Sequence, residues 1–239
     1  MKNLWFDGQC SAGFGLVLTG SGTFDAAERD VEKISVAGRN GDLILENGRY
    51  KNISVDYPVF ICRDFPRKAE AARMWLLSKP GYRRLEDDYN PSFFRMAMFK
   101  GPLNFNVTFL NRAAEATLSF DCKPQRFLRS GEYPISMDAA GMLCNPTNFP
   151  ALPLITVYGT DAGTLTVGNV TVEIKTLTDH ICLDSDLQNA YRVADSGAME
   201  NENGAVRAPD FPVLAAGEVP VSWTGGITHI EIIPRWWTL

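Results

Sequence analysis

Two histidines, His180 and His229, are the first candidates for chemistry, and each lies in a segment that alternates like a β-strand. Catalysis by a Ser or Cys nucleophile requires a base held against it and a third group that orients the base. Neither a GxSxG nor an HExxH motif occurs in the chain. No catalytic set is therefore identified, and we interpret both histidines as structural rather than as parts of an enzyme.

Several other patterns resemble binding motifs but lack a necessary part. Gly13–Gly15 and Gly20–Gly22 do not open a helix, as a phosphate-binding loop must. The acidic pairs Asp87–Asp88 and Asp184–Asp186 lack the twelve-residue calcium loop with its closing Glu. We interpret all four as turns and expect no cofactor and no metal. A sugar-stacking platform remains an alternative for one aromatic set, which comprises Trp223, Trp236, Trp237 and Tyr191.

Composition excludes several classes of function. The net charge of −5 argues against a general nucleic-acid-binding surface, and the basic run Arg63–Arg73 is interpreted as the solvated face of a helix. No apolar stretch reaches 18 residues, so no transmembrane helix is expected, and the first residues do not resemble a signal peptide. The five cysteines form no CxxC pair, so we interpret them as reduced, cytoplasmically made and mostly core-filling.

Alternation with period two dominates the first half of the chain. The apolar positions of Ile53–Ile61 fall on one face of a predicted strand, and Pro58 indicates an edge or a bulge. Leu103–Phe109 and Ala116–Cys122 alternate in the same way, and the short Asn111–Ala114 link predicts an antiparallel hairpin between them. The first half is therefore predicted to be β-rich.

One segment of the first half has helical character instead. Asp64–Ser78 is rich in good helix formers, with Asp64 as a candidate N-cap and Lys79–Gly81 as the stop. The predicted buried stripe consists of Ala69, Ala72, Leu76 and Trp75.

A boundary is predicted within residues 123–150, and a second β-rich half follows it. Leu154–Val157 begins this half, and Gly168–Asn169 between two alternating runs predicts a two-residue hairpin. The remaining predicted strands are His180–Asp184, Val219–Trp223 and Ile227–Ile233. Many short strands at this spacing are typical of a β-sandwich. We therefore predict a mainly β protein with domains at 1–130 and 131–239.

Six separated segments, in order, resemble the distal tail proteins of long-tailed, non-contractile bacteriophages. These segments are Ile34–Leu43, Gly48–Ile61, Arg73–Leu76, Phe120–Phe127, Asn145–Gly159 and Phe211–Trp237. The resemblance implies a ring-forming N-terminal domain with one helix and a galectin-like C-terminal β-sandwich. It also implies a structural protein of the virion tail tip, assembled in the bacterial cytoplasm, with no enzymatic activity.

The resemblance further implies partners. Six copies would surround the tail channel, with back-to-back pairing of rings in isolation, and would join the tail-tube protein to the tail-associated lysin and receptor-binding proteins. DNA would pass through the channel without specific binding, and no membrane contact is implied. Because a ring needs two different complementary surfaces, we predict that Gly41–Ile61 contacts a neighbouring subunit through strand edges, with Val55, Tyr57 and Val59 at the interface. The alternative functions are a carbohydrate-binding module that recognises cell-wall glycan and a cell-wall hydrolase.

Overall fold

The computed structural model describes residues 2–108 and 112–239. The chain divides into two compact units, Met1–Arg126 with Leu239, and Phe127–Thr238. We predicted functional domains at 1–130 and 131–239, and that division stays a prediction.

The first unit holds the helix α1, Phe65–Leu77. Its strands are β1 Leu4–Phe6, β2 Gln9–Cys10, β3 Leu16–Leu18, β4 Arg29–Ile34, β5 Leu43–Tyr50, β6 Ile53–Cys62, β7 Arg83–Asp87, β8 Phe93–Met98, β9 Asn106–Thr108 and β10 Ala113–Leu128, of which β10 crosses the division.

The main sheet of the first unit has the strand order β2-β1-β7-β8-β10-β6-β3, and β9 pairs with β10. The predicted strand Ile53–Ile61 is confirmed as β6, which pairs with β10 along its whole length. The prediction from Pro58 of an edge or a bulge holds only locally: β3 flanks β6 from Val59 to Ile61, so β6 is not the edge strand of the sheet, but Pro58 lies just beyond the end of β3. The carbonyl of Pro58 accepts a hydrogen bond from the backbone N–H of Thr19, just beyond the last residue of β3. The nitrogen of Pro58 faces the same side as its carbonyl, where β3 has ended and no ladder donor is needed.

The hairpin predicted near residue 111 is confirmed, with altered bounds. β9 pairs with β10 from Thr108–Ala113 to Asn106–Glu115, so Ala113 and Ala114 belong to a strand and not to the link. Leu103 and Phe105 lie outside any strand and pack on the core, and Phe109 and Asn111 lie outside the described residues. The predicted strand Ala116–Cys122 is longer than expected, because β10 runs from Ala113 to Leu128.

Helix α1 matches its predicted buried stripe, since Ala69, Ala72, Trp75 and Leu76 are all buried. The predicted N-cap function of Asp64 is wrong. Its backbone adopts a left-handed conformation with φ of 53°, and its side chain makes no capping hydrogen bond. The carboxylate of Asp64 instead pairs with Arg67, one turn further along the helix.

The second unit is a separate, mainly β structure with its own core. Its strands are β11 Ile135–Met137, β12 Gly141–Asn145, β13 Leu154–Val167, β14 Val170–Ile174, β15 His180–Asp184, β16 Asn189–Val193, β17 Met199–Asn201, β18 Val206–Arg207, β19 Gly217–Ile233 and β20 Trp237–Thr238. Within the described residues, short 3-10 turns lie at Ser11–Phe14, Arg129–Glu132 and Asn203–Ala205. The sheet of the second unit has the order β11-β19-β13-β15-β16-β17; β12 pairs with β19, and β14 pairs with β13 and β18.

Two long strands, β13 and β19, form the frame of this sheet and bend together. The pairing register between β13 and β19 shifts between Tyr158 and Gly163. The residues of β13 before the shift pair with β15, and those after it pair with β14. Gly225 has φ of 79° beside this bend, a conformation that favours glycine. Apolar side chains from both halves of β13 share one core. The sequence pattern predicted these long strands as shorter separate ones, while the Gly168–Asn169 hairpin is confirmed.

Candidate assembly surface

Val55, Tyr57 and Val59, the predicted interface residues, are all buried in the core of the first unit. Tyr57 packs edge-to-face on Phe120, with ring centroids 5.9 Å apart. Alternation places the three side chains on one face of β6, and the subunit's own core covers that face. They are therefore not available as a contact surface in the folded chain, and their predicted role is corrected on that ground.

The hydroxyl of Tyr57 has a structural role in this core. It donates a hydrogen bond of 2.6 Å to Oδ2 of Asp87, and Asp87 is itself buried. Burial, and then the neighbouring carboxylate, raise the pKa of the Tyr57 phenol far above its ordinary value. Oδ1 of Asp87 accepts the backbone N–H groups of Tyr89 and Asn90, which confirms the turn predicted from the acidic pair Asp87–Asp88.

The hairpin of β4 and β5, of which only β5 lies in the predicted region Gly41–Ile61, forms an exposed arm. We call residues 29–50 the arm. Its two strands pair only with each other, and no residue from Phe24 to Tyr50 is buried. Ion pairs such as Arg49–Asp30, at 2.7 Å, support it locally. The arm lacks the packing that stabilises the other strands, and a two-stranded hairpin without a covering layer is only marginally stable in water.

The arm has one apolar face. Ile34 lies directly opposite Leu43 in the pairing register, and Leu45 lies two residues further along β5, so all three point to the same side. The exposed fractions of Leu43 and Leu45 are 44% and 52%. Ile44, 59% exposed, points to the opposite side, across from Lys33. Glycines with positive φ at Gly38 and Gly41 form the connection between the strands.

A second exposed apolar surface of the first unit lies beside α1. Phe14 stacks on Trp75 with ring centroids 4.4 Å apart. Together with the exposed side chains of Met74 and Leu77, they line an open groove of about 670 Å³. We call this the helix groove. The helix groove and the arm are two exposed apolar features of the first unit that a partner surface would cover.

The predicted glycine and acidic turns are confirmed in two further places. Gly15 ends a 3-10 turn with φ of 70° and approaches the side chain of Lys68, so Gly13–Gly15 forms no phosphate loop. Oδ1 of Asp184 accepts the backbone N–H groups of Asp186 and Leu187, and the Asp184 carboxylate also pairs with Arg235. Both patterns therefore have structural partners within the chain.

The predicted aromatic platform is not available as a free surface. Trp236 is buried in the core of the second unit. Trp237 stacks on Phe149 with ring centroids 4.5 Å apart, and its indole N–H donates to the carbonyl of Pro150. The structure instead brings the two histidines together: both lie beside Tyr158 on neighbouring strands. No local motif in the sequence links His180 and His229, which are far apart along the chain.

The prediction that most of the cysteines fill the core is wrong, because two of the five are buried. Cys122 and Cys182 are buried, Cys10 is intermediate, and Cys62 and Cys144 are exposed. Within residues 2–108 and 112–239, no group of three or more His, Cys, Asp or Glu side chains has the arrangement of a metal site. No helix of the described chain is both long and apolar enough to cross a membrane.

No protein-family model and no curated protein sequence matches this chain. Solved structures do match it, and they share its arrangement of two β-rich units with the helix α1 in the first. The crystal structure of the Dit protein (gp 19.1) of phage SPP1, described as a paradigm of the hub adsorption apparatus in phages that infect Gram-positive bacteria, superposes with a TM-score of 0.77. The two chains are 12% identical, and the match covers 100% of each.

A chain of the phage P2 baseplate in its activated conformation with Ca is also similar, with a TM-score of 0.51 and 8% identity over 97% of each chain. This chain therefore has the Dit fold. The distal tail protein resemblance seen in the sequence is confirmed at the level of fold. The mainly β class is confirmed as well.

Proposed function

We propose that this chain is a structural, non-enzymatic component of a phage tail tip, in which six copies form a ring that joins the tail tube to the baseplate and host-recognition proteins. The Dit fold over the whole chain supports the tail-tip role. The first unit would be the ring domain and the second a galectin-like domain outside it. The exposed arm is the observation that carries the ring proposal.

The arm supports self-assembly because its isolated state is physically unfavourable. Leu43, Leu45 and Ile34 form an apolar face that the rest of the subunit leaves open to water. Burying apolar area contributes about 25 cal/mol per Å², so a covered arm is stabilised where a free arm is not. A closed ring needs two different surfaces on each subunit. The arm and the helix groove are two such surfaces on one unit.

Light scattering on a sizing column measures the first consequence. Six chains of 26.4 kDa each give a ring of about 158 kDa, and that mass or its double is expected over a range of concentrations. A mass of 26.4 kDa at every concentration would contradict assembly by this chain alone.

A pair of arm variants tests which face makes the contact. Leu45→Lys places a cation opposite Glu32, and Ile44→Glu places an anion opposite Lys33, so each adds a favourable cross-strand pair to the arm. Both therefore preserve the hairpin. We expect Leu45→Lys to abolish the ring while the subunit stays folded, and Ile44→Glu to leave the ring intact.

Val55→Lys supplies the contrasting control. It introduces a charge into the core and is expected to unfold the first unit rather than release a folded monomer, as circular dichroism will distinguish. A full-sized ring from Leu45→Lys would show that the apolar face of the arm is not the interface.

A further inference from the structure

The outer face of the second unit carries a row of three rings drawn from three strands. Tyr158 on β13 is the direct register partner of His180 on β15 and of His229 on β19. The rings of Tyr158 and His229 stack with centroids 4.4 Å apart and an interplanar angle of 5°, and the ring of His180 lies 6.0 Å away on the other side. We call these three residues the ring row.

The ring row faces away from the core. The next residues along the same strands, Val157, Ile181 and Ile230, all belong to the buried core cluster. Successive residues of a strand point to opposite faces, so the three rings stand on the outer face. The side chain of His180 is 20% exposed. Two imidazoles and a phenol thus form one partly exposed polar platform.

The hydrogen bonds of the row leave acceptor and donor capacity at its outer edge. Nδ1 of His180 contacts Oδ2 of Asp179 at 2.6 Å, and Nδ1 of His229 contacts the hydroxyl of Thr228 at 3.1 Å. The phenol of Tyr158 donates to Oε2 of Glu231 at 3.2 Å. Among residues 2–108 and 112–239, neither histidine Nε2 has a hydrogen-bond partner. Each imidazole is therefore anchored through one nitrogen and free at the other.

The geometry excludes two ligand classes. A single zinc ion needs its ligand nitrogens at about 2.0–2.1 Å, but the ring of Tyr158 separates the two imidazoles. An anionic ligand is disfavoured because both charged side chains that hydrogen-bond the row, Asp179 and Glu231, are carboxylates, and that of Asp179 is 71% exposed.

We propose that the ring row binds a neutral oligosaccharide. A sugar hydroxyl both donates and accepts, so it matches a carboxylate oxygen on one side and an imidazole nitrogen or phenol oxygen on the other. Along the row, the carboxylate of Asp179 lies beside the imidazole of His180, and the carboxylate of Glu231 lies beside the phenol of Tyr158. The outer faces of the imidazole rings add apolar contact for the C–H face of a sugar. This site is independent of ring formation, because it lies on the second unit and uses no residue of the arm.

The chain is well suited to a direct test, because its two histidines both lie in the proposed site. Diethyl pyrocarbonate modifies accessible neutral imidazoles, and peptide mass spectrometry gives the rate at His180 and at His229 separately, whatever the size of the assembly. Triacetylchitotriose, maltotriose and galactotriose are the neutral probes, and trigalacturonate is the anionic probe of similar size.

At least one neutral probe is expected to protect both histidines in a saturable manner. With a Kd of about 1 mM, a probe at about 10 mM fills roughly nine tenths of the sites and slows modification about tenfold. Trigalacturonate is expected to give no protection. Absence of protection by all three neutral probes would overturn the proposal and leave the ring row as a purely structural cross-strand contact. Equal protection by trigalacturonate would overturn the neutral specificity.

Tyr158→Phe separates binding from packing. It keeps the stacked ring and removes only the hydroxyl that contacts Glu231, and it is expected to reduce the affinity of the protecting saccharide several-fold with little change in thermal stability. Tyr133→Phe, which removes an exposed hydroxyl outside the row, is the matched control and is expected to leave affinity unchanged. An unchanged affinity in Tyr158→Phe would contradict the role given to the phenol.

Discussion

Removal of Arg235 is expected to destabilise the second unit through an uncompensated buried charge. Its guanidinium donates to Oδ1 and Oδ2 of Asp184 at 2.8 and 2.9 Å. The side chain of Asp184 is 4% exposed, while that of Arg235 is 30% exposed. Arg235→Met preserves most of the side-chain volume at this backbone position, where φ is 56°, and removes only the charge and the donors.

The magnitude follows from what remains around Asp184. Breaking a buried pair by removing one partner costs about 3–5 kcal/mol. Asp184 keeps two backbone N–H donors, and water can reach the partly exposed position of Arg235, so we expect about 2–3 kcal/mol for Arg235→Met. Because domains are stable by only about 5–15 kcal/mol, this is a large fraction of the total.

Urea denaturation followed by tryptophan fluorescence measures this change, since Trp223, Trp236 and Trp237 all lie in the second unit. With a slope of about 1–3 kcal/mol per M, a loss of about 2–3 kcal/mol lowers the midpoint by about 0.7–3 M. The double variant Arg235→Met with Asp184→Asn is the control. It removes the stranded charge and is expected to recover about 1 kcal/mol or more. A loss below about 1 kcal/mol in Arg235→Met, or no recovery in the double variant, would refute the reasoning.

The pH dependence gives a second check on the same pair. Burial alone raises the pKa of Asp184, but the hydrogen bonds from Arg235 and from backbone N–H groups outweigh it and hold that pKa below its usual range. The folded-state pKa is thus lower than the unfolded one. The stabilisation is fully present above the unfolded pKa of about 3.9 and is lost as the pH falls through the folded pKa. The difference between wild type and Arg235→Met should therefore shrink in acid.

Two further predictions concern the first unit. Tyr57→Phe removes a buried hydrogen bond to a carboxylate and is expected to cost about 1.5–3 kcal/mol in urea denaturation, whereas Tyr82→Phe, whose hydroxyl has an exposed partner, should cost under about 1 kcal/mol. A smaller effect at Tyr57 than at Tyr82 would contradict the assigned role of Asp87. A thiol reagent should label the exposed Cys62 and Cys144 in the native protein, but Cys122 only after unfolding, because burial raises the pKa of that thiol to about 12. Rapid native labelling of Cys122, detected by peptide mass spectrometry, would count against the core described here.

The sequence pattern predicted those elements whose own residues determine them. The buried stripe of α1 and the Gly168–Asn169 hairpin depend on short-range spacing, and both are confirmed. The pattern did not predict that β13 and β19 are single long strands, because their bends at glycines resemble strand ends. Nor did it predict the ring row, which needs the register of three strands. Long-range pairing leaves no local trace in one sequence.

The interface prediction went wrong because alternation reports a shared face but not what covers that face. Val55 and Tyr57 on β6 alternate as Leu43 and Leu45 on β5 do, yet the first pair is buried in the subunit and the second is open to water. The difference lies in the neighbours: β6 pairs with β10 along its whole length and has a core on its face, while β5 pairs with β4 alone. An apolar face needs a cover in either case. On the arm the subunit supplies no cover, so the alternating pattern there indicates a partner surface instead of a core. Comparing Leu45→Lys with Ile44→Glu tests which face of the arm that partner covers.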